Sequence, residues 1–298
     1  MLVLLVLAIA SIVPSFLSTY SLGVLVGESS VILLLAMAQT PVMLLGSIDV
    51  STAALASLTS VLVATFLPGL GAAAVVGALC LATALGGLQG LVHARAQLPS
   101  FVVTLAGLGL WSGIALTIAH ATVRIGEGYP VIGWLEARTL GIPPSFLCGL
   151  AVLGLLQLVL SRSPLGRRLY AIGMGEPAAL LSGVSVWRVR VFAFASSGLC
   201  SGLAGVVMAA RTSSGNPTIA DSLLLPSIAA VVAGGTAITG GHGGLGRTLV
   251  GALVVTVIRI GVGVTGIAPA YEPIAFGALV VIAAAATVDR AAQGRVVK

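Results

Sequence analysis

The sequence predicts an all-α polytopic membrane protein of about ten transmembrane helices, and three observations support this fold class. Of 298 residues, 58% are apolar and only 7% are charged, whereas charged residues make up about a quarter of an ordinary soluble chain. The mean hydropathy is +1.17, and the 39 glycines suit close packing of helices in lipid. The apolar runs are continuous rather than alternating, which argues against an outer-membrane β-barrel.

Ten apolar segments predict membrane spans, since a span needs about 20 apolar residues. They are 1–17, 23–46, 51–67, 70–93, 100–121, 145–161, 189–209, 223–239, 246–264 and 272–288. Glycine pairs interrupt the eighth segment, so a re-entrant piece stays an alternative there, and the predicted number of spans is eight to eleven. For the first segment a cleaved signal peptide is the alternative, although it lacks a basic start. The connections are too short for a second folded domain, so we expect one transmembrane domain over residues 1–298.

The basic residues predict that both termini are cytoplasmic, because cytoplasmic loops carry an excess of Arg and Lys. With this orientation ten basic residues lie inside and four outside. The inner set is Arg95, Arg162, Arg167, Arg168, Arg188, Arg190, Arg247, Arg290, Arg295 and Lys298. The outer set is Arg124, Arg138, Arg211 and Arg259. The net charge of +6 therefore indicates membrane orientation. We expect membrane lipid, and no nucleic acid, as a partner.

Several kinds of chemistry lack their sequence patterns. The one lysine is Lys298, so the chain has no GxxxxGK[ST] loop for ATP. The three cysteines and three histidines lie far apart, without the spacing of metal ligands. There is no HExxH motif and no paired Ser/His or Asp/Asp arrangement. We therefore expect no catalytic residue, no metal and no cofactor on this chain.

The cytoplasmic connection at about 162–188 contains a short predicted helix. It begins after Gly175 with Glu176-Pro177 and ends at Gly183, which follows the usual preference for an acid and proline at the start and glycine at the end. Such a helix is too short to be stable alone, so it needs a partner. Two interpretations stay open: a helix that docks into a groove of another protein, or a connector that lies on the headgroups.

Polar residues at membrane depth are the other candidates. Asp49 lies between two apolar spans, where an acid is either functional or an N-cap for the helix near Ser51, with Ser51 as a second candidate cap. The stretch from Gly234 to Gly244 is either an unwound break beside a pathway or a place of close packing. Glu28 and Arg259 are expected to pair across helices or to extend to the interface.

Three aromatic residues lie near predicted span ends. We expect them to be interfacial anchors, because tryptophan and tyrosine favour the membrane–water boundary. They are Trp111, Trp187 and Tyr271.

Four stretches resemble the permease subunits of bacterial ABC importers for ribose, xylose, galactose and related sugars. In the cytoplasmic connection the matching residues are Leu165-Gly166-Arg167, Tyr170-Ala171, Gly173, Glu176, Ala178-Ala179 and Leu181-Ser182-Gly183. The Gly-Ile-Asp-Leu-Ser-Val-Gly segment of the family is similar to Ile48-Asp49-Val50-Ser51. Its glycine-rich segment is similar to Ile228-Ala229-Ala230-Val231-Val232 with Gly234-Gly235-Thr236 and Gly240-Gly241-x-Gly243. The fourth stretch is Gly246-x-Thr248-Leu249-x-Gly251-Ala252-Leu253, and the similarity covers nearly the whole chain.

The resemblance implies a monosaccharide pathway in the bacterial inner membrane. It also implies a second permease chain, an ATPase subunit that holds ATP and Mg, and a periplasmic or lipid-anchored sugar-binding protein. The residues expected to couple to the ATPase are Gly175, Glu176, Ala178, Ala179, Leu181, Ser182 and Gly183. The residues expected along the pathway are Asp49, Ser51, Gly234, Gly235, Thr236, Gly240 and Gly241.

The chain departs from the family pattern at several positions. Ser47 stands where the family has glycine before Ile-Asp, and Leu180 stands where its docking helix often has arginine. Leu224 and Pro226 replace acidic residues. These departures leave the sugar open and suggest one half of a heterodimeric permease pair.

Two alternative functions stay open. A permease for branched-chain amino acids or nucleosides of the same superfamily would be expected to have a different segment in place of Ile48-Asp49-Val50-Ser51. An ion-coupled secondary transporter would need intramembrane acids that face a cavity, and only Glu28, Asp49 and Glu272 are available.

Overall fold

The computed structural model describes residues 2–137, 141–266 and 268–287, and this part of the chain contains thirteen α-helices. Their bounds are α1 Leu2–Ile12, α2 Thr19–Leu44, α3 Thr52–Leu70, α4 Ala72–Ala96, α5 Ser100–Ile118, α6 Pro130–Gly133, α7 Pro144–Arg162, α8 Pro164–Met174, α9 Glu176–Leu181, α10 Val186–Thr212, α11 Leu224–Ala233, α12 Leu245–Val264 and α13 Glu272–Thr287. Two short strands, β1 (Val123–Arg124) and β2 (Ser214–Gly215), pair antiparallel. Single 3₁₀ turns cover Pro14–Leu17, Trp134–Glu136, Asp221–Leu223 and Pro269–Tyr271.

Seven helices are long and apolar enough to cross a membrane: α2, α3, α4, α5, α7, α10 and α12. Three shorter apolar helices, α1, α11 and α13, bring the total to ten. Each predicted segment coincides with one of these ten helices. The prediction of an all-α polytopic membrane protein is therefore confirmed.

The eighth predicted span was too long. Residues 223–239 were expected to form one helix, but α11 ends at Ala233. The reason is local: Gly235 has φ +81°, a left-handed conformation that glycine adopts without steric cost and that ends a helix.

Helix α2 lies at the centre of the fold, and most of its residues from Ser29 to Leu44 are fully buried. It packs against α10, α11 and α12. Helices α4 and α10 approach closely through small residues, because a Cβ at Gly198 would overlap the carbonyl of Ala82 and lie 3.2 Å from the Cα of Gly86. Such small residues are typical of helix contacts in lipid.

The outer surface of the bundle is apolar. Leucines on α5 and α7 have large exposed fractions, as helices that face lipid require; examples are Leu105, Leu110, Leu155 and Leu158. The predicted sidedness stays a prediction. Of the basic residues behind it, Arg138, Arg290, Arg295 and Lys298 lie outside the described residues.

Candidate functional site

The connection between α2 and α3 is held inside the bundle by polar side chains. The Asp49 side chain is fully buried, and its Oδ1 accepts hydrogen bonds from the Ser51 backbone N–H (2.9 Å) and hydroxyl (2.6 Å). Its Oδ2 accepts one from the Ser197 hydroxyl on α10 (2.7 Å). Ser197 is the twelfth residue of α10, so the carboxylate lies about 17 Å from the start of that helix.

The expected N-cap is wrong in its detail. Ser51 occupies the N-cap position of α3, but its side chain makes no capping hydrogen bond. Asp49 instead binds the Ser51 N–H, which fixes the turn just before the helix. This arrangement is typical of aspartate, whose short side chain bonds to the backbone two residues on.

Neighbouring helices satisfy the backbone of this connection. The Ile48 N–H donates to the Ser100 hydroxyl and the Val50 N–H to the Thr104 hydroxyl, both at 3.2 Å. The Gln39 amide on α2 donates to the Asp49 carbonyl at 2.6 Å. Two helices, α2 and α5, therefore supply hydrogen-bond partners for the backbone of this connection, as buried backbone groups require.

Gln89 on α4 extends this network. Its Oε1 lies 3.0 Å from the Ser51 hydroxyl, which already lies 2.6 Å from Asp49. A hydroxyl has one hydrogen and can donate to only one of these two acceptors. If the Gln89 amide turns over, its nitrogen donates to Ser51 and its oxygen faces the side of Gly107, where the Trp111 indole N–H also lacks a partner. In this orientation the Ser51 hydroxyl accepts from Gln89 and keeps its own hydrogen for Asp49.

The prediction of an interfacial Trp111 is wrong. Its side chain is buried near the middle of α5, beside Gly107. Trp187 and Tyr271 are exposed near helix ends, and their role as interfacial anchors stays a prediction. Gln39, Gln89 and Ser197 are not among the predicted site residues, although an uncharged polar residue inside an apolar span is a signal that could have identified them.

The glycine-rich segment between α11 and α12 packs beneath the α2–α3 connection. The Gly241 N–H donates to the Leu44 carbonyl at the end of α2 (2.9 Å). A Cβ at Gly240 would lie 2.6 Å from the Gly46 nitrogen, and Gly240 has φ +89°. Glycine is required there for both space and conformation. The structure thus favours the close-packing interpretation of this segment.

The expected pathway residues do not line an open channel. Asp49, Ser51 and Thr236 are fully buried, and Gly240 and Gly241 are also buried. The structure brings the two segments together through Gly46 and Gly240. Gly234 packs against the first turn of α12 instead, near the Arg247 carbonyl.

Helix α8 joins the same junction from the predicted cytoplasmic side. The Tyr170 hydroxyl donates to the Gly243 carbonyl at 3.1 Å. A Cβ at Gly173 would overlap the Leu44 carbonyl and the Gly241 nitrogen. Helix α8 therefore contacts both the end of α2, just before the α2–α3 connection, and the glycine-rich segment.

Helix α9 has the predicted start and end. Gly175 is its N-cap, Glu176 begins it, and Gly183 follows with φ +77°. The Gly183 N–H bonds to the Leu180 carbonyl and the Val184 N–H to the Ala179 carbonyl, which is a Schellman motif. The Glu176 carboxylate also forms an ion pair with Arg190 on α10, with 2.6 Å between Glu176 Oε2 and Arg190 Nη2.

The assignment of Ala179 to an outward docking face is wrong. Its side chain is only 3% exposed and belongs to the main hydrophobic core of the permease itself. The outward residues are Ala178, Leu180 and Leu181, and Leu181 is 92% exposed. Ala179 packs the six-residue helix against the core, and the neighbouring Leu180 and Leu181 face outward.

A shallow apolar groove runs beside the exposed leucines. It encloses about 280 Å³ between α8 and α9, and its lining residues are Ala171, Met174, Gly175, Ala178, Ala179, Ser182 and Val184. Met174, one of these lining residues, is 68% exposed. Exposed apolar residues that cluster on an aqueous face indicate a protein contact.

Glu28 and Arg259 pair across helices, which was one of the two predicted outcomes. Glu28 on α2 forms ion pairs with Arg211 on α10 and with Arg259 on α12 (3.9 Å). Arg259 also lies 3.7 Å from Glu272 on α13. These ion pairs link α2, α10, α12 and α13.

Comparisons with known proteins agree with this architecture. The ribose import permease of Bacillus subtilis (strain 168) is 33% identical over 94% of this chain and 88% of its own length. The ribose import permease of Escherichia coli (strain K12) is 32% identical over 95% of this chain and 90% of its own length. The D-allose transport system permease of the same strain is 30% identical, over 91% and 84%. No solved structure matches the chain.

The chain is thus a multi-pass protein of the inner membrane, and its described residues include seven helices long enough to span it. Residues 21–284 match the family described as "Branched-chain amino acid transport system / permease component". This match covers most of the chain, from α2 to α13. It includes the α2–α3 connection, the glycine-rich segment, α8 and α9. The protein therefore belongs to this family of ABC-importer permeases.

Proposed function

We propose that the chain carries a monosaccharide through the inner membrane as one permease subunit of an ATP-driven importer. Relatives named for ribose and D-allose, each similar over more than 80% of its length, support the sugar class. The chain has no GxxxxGK[ST] loop, so ATP and Mg are held by a separate ATPase subunit. A second permease chain and a sugar-binding protein complete the assembly.

The observation that carries the proposal is the exposed apolar face of α9. Leu181 and Leu180 extend away from the core, and Ala179 holds the helix against it. Leucines on the aqueous side of a membrane protein need a protein cover. The ATPase subunit is the partner that an importer must contact on that side.

The α2–α3 connection and the glycine-rich segment between α11 and α12 are proposed to close the pathway at its cytoplasmic end. Uncharged polar groups surround Asp49, including Ser51, Ser197, Gln39 and Gln89. Hydroxyl and amide groups suit a sugar, which is uncharged and rich in hydroxyls. Movement of α8 would reach the closure through Gly173 and Tyr170.

The ion-coupled alternative has less support. Glu28 and Glu272 are engaged with arginines, and Asp49 accepts three hydrogen bonds in a fully buried position. A coupling acid has to reach a cavity from which it takes its ion.

Reconstitution tests the proposal. Proteoliposomes would contain the permease with its ATPase and binding protein, and uptake of labelled ribose, allose and fructose would be compared with uptake of leucine and adenosine. We expect accumulation of at least one monosaccharide only with ATP on the ATPase side. The matched control is the same complex with ADP. Uptake of leucine or adenosine without any monosaccharide would refute the sugar assignment, and uptake driven by an ion gradient without ATP would refute the importer.

A further inference from the structure

The connection between α10 and α11 runs beside α3 at membrane depth. The Asn216 N–H donates to the Ser60 hydroxyl at 3.3 Å, and the Ala220 N–H donates to the Ser57 hydroxyl at 3.1 Å. Ser57 is the sixth residue of α3, so Ala220 lies about 8 Å along this helix from its start and about 20 Å from its end. Helix α3 is long and apolar enough to cross a membrane. The predicted spans 189–209 and 223–239 leave this connection in an outer loop, but the structure places it between the ends of α3.

The backbone of this connection is not helical between residues 216 and 220, and a single 3₁₀ turn follows it. At membrane depth, such backbone is tolerated only where protein covers it or where it lines a water-filled cavity. Protein covers one side, since Pro217 and Ala220 are buried. The other side carries Thr218, Asp221 and Ser222, which are exposed. All three are polar, so this side is suited to water and not to lipid.

Asn216 holds the connection in place. Its Oδ1 accepts hydrogen bonds from the Thr218 N–H (2.8 Å) and hydroxyl (2.9 Å), and its Nδ2 donates to the Thr122 hydroxyl (2.8 Å). The Asp221 carboxylate and the Ser222 hydroxyl, by contrast, have no hydrogen bond or ion pair within the described part of the chain. Two polar groups on an ordered segment are therefore free for a ligand.

Helix α11 separates these two groups from the proposed closure of the pathway. The helix has ten residues and is about 15 Å long. Asp221 and Ser222 precede it, and the glycine-rich segment that packs beneath the α2–α3 connection follows it. A solute that enters from the predicted outer side therefore meets Asp221 and Ser222 before it reaches the closure.

We propose, on the basis of the proposed function, that Asp221 and Ser222 contact the transported monosaccharide inside the pathway. The Asp221 carboxylate has two oxygens and accepts from two sugar hydroxyls, and the Ser222 hydroxyl donates or accepts. An acyl chain has no group for either side chain. A second permease chain that covered the segment would have to pair a buried carboxylate. An uncharged solute rich in hydroxyls satisfies both groups.

Cysteine labelling tests whether Asp221 faces water. Asp221→Cys is made in a permease whose Cys80 and Cys148 are replaced by alanine, while the fully buried Cys200 is kept. The complex is reconstituted with its ATPase and binding protein. We expect a charged, membrane-impermeant methanethiosulfonate to label the permease during ATP turnover, and an excess of the transported monosaccharide to slow this labelling. The matched control is Leu155→Cys, at a 62% exposed position near the middle of α7, which should stay unlabelled because it faces lipid.

Uptake measurements test the contact with the sugar. With saturating binding protein, we expect uptake to fall about ten-fold in Asp221→Ala and about three-fold in Ser222→Ala, as for the loss of a charged and a neutral hydrogen bond. The unfolding temperature should not change, because neither side chain bonds within the described part of the chain. Glu127→Ala, at an exposed acid of the outer segment, is the matched control and should keep normal uptake.

Three results would overturn the proposal. Labelling of Asp221→Cys no faster than that of Leu155→Cys would show that lipid or the second permease chain covers the segment. Normal uptake in Asp221→Ala, or an equal loss in Glu127→Ala, would exclude the sugar contact. Uptake that is driven by an ion gradient and lost in Asp221→Ala would assign the acid to ion coupling. Failure of the proposed function is a different result, in which the unchanged complex imports no monosaccharide at all.

Discussion

The α2–α3 connection and helix α9 are both short, but they place polar and apolar groups in opposite ways. In the connection, Asp49 and Ser51 are fully buried inside a lipid-facing bundle. In α9, Leu181 is almost fully exposed on the predicted aqueous side. Both arrangements depart from the usual environments of these side chains. Each therefore indicates what the segment contacts.

The difference lies in where the compensating contacts are. Three hydrogen bonds within the chain satisfy Asp49, so its contribution is internal and is measured as stability. Leu181 is 92% exposed among the described residues, so its contribution depends on a partner and is measured as binding. Helix α8, which directly precedes α9, connects the two regions. Its Gly173 packs against the Leu44 carbonyl at the end of α2, and its Tyr170 donates to the Gly243 carbonyl.

The largest expected effect is on the α2–α3 connection, whose polar groups are satisfied within the chain. Asp49→Leu removes the acceptor of three buried donors, and each such orphaned group costs about 1–3 kcal/mol. We expect a loss of several kcal/mol in the free energy of unfolding, measured as a much lower unfolding temperature of the purified permease. Transport should be lost as well.

Asp49→Asn is the matched variant. Its amide oxygen still accepts from Ser51, and its amide nitrogen donates to the Ser197 hydroxyl, so most of the stability should remain. If Asn is as damaging as Leu, the negative charge itself is required. A leucine variant with unchanged stability would show that the network does not hold the connection.

The next largest effect concerns the link between the two regions. Gly173→Ala places a Cβ against the Leu44 carbonyl and the Gly241 nitrogen, and overpacking of this kind costs about 1–3 kcal/mol. We expect the ATPase to remain bound but sugar uptake per ATP hydrolysed to fall. The control is Gly154→Ala on α7, where a Cβ has no neighbour within 4 Å. Equal coupling ratios in both variants would contradict a role for this junction.

Much of the fold followed from hydropathy, because a membrane span requires a long apolar run whatever its neighbours are. The ends of α9 followed from Glu176 and Gly183, whose preferences are local. The outward face of α9 did not follow, because the burial of Ala179 depends on how α9 packs against α8 and α10. That packing leaves no signal in the local sequence pattern. Gln89 was missed for the same reason: its contact with Ser51 spans 38 residues.

Leu181→Ser tests the external side of the comparison. Loss of a hot-spot contact at a protein interface costs about 2 kcal/mol, or roughly 30-fold in the dissociation constant, and we expect Leu181 to be such a contact. We expect that loss in titrations of the ATPase subunit onto the purified permease, with an unchanged unfolding temperature. Leu70→Ser, at an exposed leucine on the opposite side of the bundle, is the matched control. Unchanged ATPase binding in Leu181→Ser would identify α9 as an interfacial connector.

The smallest expected effect is that of Glu176, which has a contact within the chain and is also partly exposed to a partner. Its ion pair with Arg190 is internal, but the glutamate side chain is 36% exposed, so solvent screens the interaction. Glu176→Gln keeps one oxygen that accepts from Arg190, and loss of the charge should cost about 0.3–1 kcal/mol through the ion pair and the helix dipole. We expect a slightly lower unfolding temperature and ATPase binding within about two-fold of the original, the equivalent of a few tenths of a kcal/mol. Glu127→Gln, in the exposed outer segment, is the control and should show neither change. If Glu176→Gln instead weakens ATPase binding as much as Leu181→Ser, the carboxylate contacts the ATPase directly and belongs to the external side of the comparison.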